Sequence, residues 1–164
     1  AIALTSPFSL KPALFFGLLL FGLINLPTFL IANVIVDFEP FLVLFFGLDY
    51  PLHGFFHSFF GGAIIAVILS LVMMKLEKTL RKIMRFFKLE QNHSQKSIWI
   101  ASFSGVYLHI FLDSFLYADN LPMFPFALNP LYNISTLTGP LIYGLCTALF
   151  VLGMCLYAYK VVKR

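Results

Sequence analysis

The stretch "FFHSFFGGAIIAVILSLVMM", residues 55–74, runs for twenty positions without one charged side chain and then meets "KLEKTLRKIMRFFKLE", residues 75–90, where six of the sixteen residues are Lys or Arg. About 20 predominantly apolar residues are what a helix needs to cross roughly 30 Å of hydrocarbon, so the first stretch reads as a membrane span and the second as its basic flank. Three more runs have the same character: Ala13 to Val36, with Pro27 as an expected kink, Ile98 to Tyr117, and Pro140 to Tyr159. Over the 164 residues only 11% are charged and 60% are hydrophobic, against about 25% charged in a soluble domain. The fold class expected is therefore all-α: a polytopic transmembrane bundle of four spanning helices in a single domain, residues 1–164. A shorter stretch, "PFLVLFFGLDYP" at 40–51, is bracketed by prolines and too short to span. It is expected to dip into the membrane or lie at its interface. No basic region and small-residue cleavage site precede the first run, which is therefore taken as a retained span.

Charge sets the expected orientation. Lys11 precedes the first run, seven basic residues fall in the 75–97 link, and Lys160, Lys163 and Arg164 follow the last run, which accounts for all eleven. With four crossings these segments share one side, and the enrichment of Lys and Arg in cytoplasmic loops makes that side the cytoplasm, with both termini. The localisation expected is the cell (plasma or inner) membrane. The link repeats Leu76, Leu80, Ile83 and Phe87 at helical spacing, as in a helix that extends the second span and meets anionic headgroups. Nothing in it points to nucleic acid.

The opposite side receives Asp37, Glu39, Asp49, Asp113 and Asp119 with His53, His57 and His109, and no Lys or Arg. Three motifs carry the groups that can bind a cation: "NVIVDFEP" (33–40), "PLHGFFHS" (51–58) and "HIFLDSF" (109–115). In a turn, Asp37 and Glu39 can approach one ion together. The pairs His53/His57 and His109/Asp113, each four apart, share a face if helical. Imidazole nitrogens with carboxylate oxygens are ligands for zinc and related divalent ions such as manganese. The candidate ligands are Asp37, Glu39, His57, His109 and Asp113, with Glu39 or His53 as the acid/base group. His53 is open between ligand, supporting residue and proton carrier. Asp49 and Asp119 read as solvated loop residues and His93 as a cytoplasmic one.

With these motifs in view, the chain resembles the membrane-bound metal-dependent hydrolases, the YdjM-like inner-membrane proteins. The resemblance runs from "SPFSL" (6–10) to "MFPF" (123–126), through Asp37-Phe38-Glu39, Gly54-Phe55-Phe56-His57-Ser58, His109 to Asp113 and Phe124-Pro125. It implies a divalent-metal centre, with zinc as the first expectation and manganese or another transition metal as the alternative, and hydrolysis of a lipid or lipid-linked ester or phosphoester at the headgroup level. Two positions depart from the pattern: Ser9 stands where many members carry an opening His, and His53 where Arg is commoner. A different reading is a non-catalytic, metal-binding subunit of a larger membrane protein complex, for which Phe stripes such as Phe15, Phe16, Phe59 and Phe60 suit helix packing. The outer loop 118–139 is expected to cover the pocket, and its "NIS" at Asn133 is a glycosylation sequon. Cys146 and Cys155, nine apart on one run, are expected as unpaired packing thiols.

Overall fold

The computed structural model describes residues 10–92, 94–132 and 138–163; Ser9, His93, Asn133 and Arg164 lie outside them. It is all-helical among these residues: α1 (Leu10–Leu19), α2 (Leu26–Ile35), α3 (Phe38–Phe46), a 3-10 turn (Phe55–His57), α4 (Phe59–Phe86), α5 (Gln95–Leu116) and α6 (Thr138–Lys163). Four segments are long and apolar enough to cross a membrane: 26–46, which joins α2 and α3, together with α4, α5 and α6.

The first apolar run is not one kinked helix. It folds as a hairpin, with α1 and α2 separated by a turn over residues 20–25. Pro27 does not bend a helix but sits in the first turn of α2, where its missing N–H is one that the helix would leave unused. Asn25 caps that turn, its side-chain oxygen accepting from the Thr28 N–H at 3.1 Å and from the Thr28 hydroxyl at 2.6 Å. Gln91, from the link between α4 and α5, pins the hairpin tip. It accepts from the Leu26 N–H at 2.8 Å and donates to the carbonyls of Phe21 and Ile24. Lys160, near the end of α6, lies over the Phe21 ring at 4.7 Å.

This hairpin corrects the charge assignment for Lys11. Its tip lies at the basic end, beside Gln91 and Lys160, while Lys11 occupies the opposite end of α1, and a ten-residue helix is about 15 Å long. Leu10 lines a groove with Asp37. One cation therefore stands toward the carboxylate-rich end, which the sequence had left without any.

α5 is the central element. Ala101, Ser102, Gly105, Val106, His109, Ile110 and Asp113 are all buried along it, between α2 on one side and α4 on the other. Two glycines permit the approach: a Cβ on Gly105 would stand 2.5 Å from the Ala32 Cβ and 2.9 Å from the Phe29 carbonyl oxygen, and one on Gly62 would stand 2.4 Å from Ile110 Cδ1. Ala32, Val36, Ala66, Leu69, Met73, Ile98, Val106 and Ile110 fill the space between the three helices. The periphery is inverted relative to a soluble protein, with Phe45 70% and Leu141 65% exposed. Such apolar surface belongs against hydrocarbon. α6 packs along α1 and buries only Cys146 and Gly153; both cysteines are free.

α4 continues unbroken from the apolar span into the basic link as far as Phe86, where Arg85 pairs with Glu90 at 2.7 Å. At the other end, the loop after α5 folds back on the bundle. The Phe59 N–H donates to the Pro122 carbonyl at 3.0 Å, and Asn129 donates to the Ser114 carbonyl at 2.9 Å.

Candidate metal centre

Three helix ends converge at the acidic end of the bundle. α2 stops at Ile35, and Asp37 occupies the corner before α3. The 3-10 turn ends at His57, held there because Ser58 caps α4, accepting from the Gly61 N–H at 2.9 Å and donating to the Phe55 carbonyl at 2.7 Å. His109 and Asp113 stand one turn apart near the end of α5. These four side chains, from three segments separated in sequence, offer ligand atoms that all lie within 4.8 Å of one another.

The ring nitrogens divide their work. His57 Nδ1 lies 2.8 Å from Glu39 Oε2. An ionised carboxylate only accepts, so Nδ1 carries the proton and Nε2 is left with its lone pair. That Nε2 is fully buried, 3.9 Å from Asp113 Oδ2, and has no hydrogen-bond partner among the described residues. His109 repeats the arrangement, with Nδ1 2.8 Å from the Asn33 carbonyl oxygen. A carbonyl likewise only accepts, which turns Nε2 toward Asp113 Oδ2 at 3.0 Å and Asp37 Oδ1 at 3.5 Å.

A buried imidazole nitrogen without a partner costs about 1–3 kcal/mol. Pairing His109 with Asp113 leaves His57 Nε2 in that state. A cation among the four groups satisfies both nitrogens and both carboxylates together. Donors around one tetrahedral zinc stand roughly 3.3 Å apart, as follows from bonds of about 2.0 Å. The separations of 3.0, 3.5 and 3.9 Å lie around that value and no pair exceeds 4.8 Å, so the residues fit a divalent ion once the wider pairs draw in.

Glu39 and His53 take other places. Glu39 is buried in the first turn of α3, but behind His57: one oxygen holds Nδ1 and the other accepts from the Phe56 N–H at 3.2 Å. Asp37 instead stands 3.5 Å from His109 Nε2, so the two carboxylates of this segment serve different rings and do not approach one common point. His53 precedes the 3-10 turn in non-helical backbone, so the helical face expected for the His53/His57 pair does not exist. The two rings still meet edge to face at 4.8 Å.

Asp119, expected as a solvated loop residue, instead holds His53. Its two oxygens accept from the His53 backbone N–H at 3.1 Å and pair with Nδ1 at 3.0 Å, while Tyr117 stacks on the ring at 4.0 Å. Partial burial pushes the Asp119 carboxyl up, but the His53 imidazole and N–H outweigh it and hold the group below the usual carboxylate range. The Asn33 carbonyl is the other group that sequence reasoning missed. Its one signal is spacing, since Asn33 is a polar residue one turn before Asp37 in an apolar run.

Fold and site together define a class: a helical membrane protein with a buried His/Asp cluster able to hold a metal ion. Comparison with family models, with curated proteins and with solved structures returns no match.

Proposed function

We propose that the protein is a membrane-embedded, divalent-metal-dependent hydrolase acting on a lipid or lipid-linked ester or phosphoester at the headgroup level. The observation that carries this reading is the buried His57 Nε2, oriented by Glu39 toward Asp113 and left without a hydrogen-bond partner among the described residues. Asp37, His57, His109 and Asp113 would hold the ion. Zinc suits the mixed nitrogen and oxygen donors, and manganese is the alternative. When bound, such an ion supplies Lewis acidity, acidifying water and polarising a phosphoryl or acyl oxygen.

The chain's own residues supply orientation and proton movement. Glu39 fixes the tautomer of His57, and the Asn33 carbonyl does the same for His109. His53 is the proton carrier of this reading, positioned by Asp119 and Tyr117 at the edge of the cluster. The resemblance to the YdjM-like hydrolases supports the same activity. The gathering of basic residues at the far end of the bundle supports a site on the extracytoplasmic side.

The test is release of headgroup or acyl chain from defined phospholipids by the purified protein. Activity abolished by chelation and restored by zinc or manganese is the expected result. Turnover unchanged after chelation, or no turnover of any headgroup class, refutes the proposal. The sparse burial of α6, limited to Cys146 and Gly153, favours a second reading as a metal-binding subunit of a larger membrane complex. Co-migration with a bigger assembly on native gels, with no turnover, selects it.

A further inference from the structure

The four clustered side chains are not equally hidden. His57, His109 and Asp113 are buried, whereas Asp37 keeps 20% of its side chain exposed. That exposed side lines an apolar groove of about 640 Å³, formed by Leu10 at the start of α1, Leu30, Ile31 and Val34 on α2, and Phe38 and Phe41 on α3. Asp37 is the one charged residue of its lining among the described residues. From Leu30 to Asp37 the groove follows two turns of α2, about 10 Å. All of its walls but Leu10 belong to segment 26–46, long and apolar enough to span, so the medium against them is hydrocarbon and not water.

We infer that the substrate of this centre is an acyl lipid that arrives sideways from the bilayer, its chain lying along α2 between Leu30 and Phe41 and its ester or phosphoester end at Asp37. The inference rests on the hydrolase reading above and specifies its substrate class. Three features select the occupant. The groove's size falls within the roughly 300–1,000 Å³ of ligand sites. Its lining offers no polar partner for a sugar or peptide short of Asp37 itself. Its one polar end is a member of the cluster. A second apolar groove, of about 590 Å³ between α3 and α4, ends at Glu39 behind His57 and not at a member of the cluster, which makes it the internal control.

The experiment uses the full chain in nanodiscs containing phosphatidylglycerol with a diazirine midway along one acyl chain, with adducts mapped by mass spectrometry and metal content measured on the same samples. Adducts on Leu30, Ile31 and Phe41, which line this groove and not the other, are expected to exceed those on the exposed residues of α6 between 141 and 154 at least fivefold. Val34→Trp, at an exposed position that fills this groove, brings the ratio to about one with metal content unchanged. Ile68→Trp, which fills the other groove, leaves it as in the parent. Uniform labelling of the two segments overturns the inference, as does a Val34→Trp protein that labels like the parent or an Ile68→Trp protein that loses the labelling. A cluster without metal beside a groove that still labels selectively supports the lipid site while refuting the metal-dependent reading, so the two failures are distinct.

Discussion

Glu39 Oε2 and His57 Nδ1 lie 2.8 Å apart, both buried, on the side of the imidazole that faces away from the cluster. The carboxylate is thus a support for a ligand, at the position where carboxylate–histidine pairs raise ligand basicity and fix ring orientation. Replacing such a partner costs about 10–100-fold in metal affinity. Glu39→Gln should weaken zinc binding within that range, read by competition with a chelating dye, while one ion per protein still binds at saturation. His57→Ala should abolish binding at any accessible concentration. Equal affinities of Glu39→Gln and the parent would remove Glu39 from the site.

Metal removal should destabilise the fold, because the ion would tie α2, α4 and α5 at one end. A ligand at 100 times its dissociation constant adds about 2.7 kcal/mol to the folded state. Thermal unfolding in detergent should therefore shift down on chelation for the parent. In the His57→Ala/Asp113→Ala double variant the same treatment should produce no shift. A chelation shift that survives in the double variant places the ion elsewhere.

The pair of Asp119 and His53 should appear in the acid limb of stability. The folded-state pKa of Asp119 lies below its ordinary 3.8. A carboxyl depressed on folding contributes stability that is fully present above the unfolded value and is lost as pH falls through the folded one. Asp119→Asn should thus lower the melting temperature at pH 6, and the gap to the parent should close as pH drops below about 4. A gap that persists unchanged at pH 3 would show that the contact acts through packing alone.

Much of the architecture was legible because membrane spans announce themselves by length and lack of charge, and α4, α5 and α6 follow the runs that begin at Phe55, Ile98 and Pro140 within a few residues. The hairpin between α1 and α2 was not. Residues 19–24, "LLFGLI", are as apolar as their neighbours, and the turn is held by Gln91, some 65 to 70 positions away. The cluster divides in the same way. His109 and Asp113 were readable as a pair because one helix carries both at a spacing of four. The side of His57 on which Glu39 would fall was not readable from Asp37-Phe38-Glu39, because the break between α2 and α3 sets it. Asp119 lies 66 residues from His53, and no local pattern links them.

Two glycines determine whether the cluster can assemble, and they should fail differently from Gly62. A Cβ on Gly61 would stand 2.1 Å from the Phe55 carbonyl oxygen and 2.8 Å from its carbon. That backbone belongs to the 3-10 turn carrying His57. On Gly105 it would press the Phe29 carbonyl and the Ala32 Cβ, separating α5 from the helix that leads to Asp37. Overpacking costs about 1–3 kcal/mol, and at both sites backbone must move. At Gly62 the atoms met inside 3.0 Å belong to side chains, Ile110 Cδ1 at 2.4 Å and Val106 Cγ1 at 2.9 Å, and no backbone has to move. Gly61→Ala and Gly105→Ala should each lower stability by about 1–3 kcal/mol in denaturant titrations and reduce metal occupancy at a fixed zinc concentration. Gly62→Ala should cost less and keep the occupancy of the parent. If Gly61→Ala binds zinc as the parent does, the 3-10 turn does not set the position of His57, and the ion is held by α2 and α5 alone.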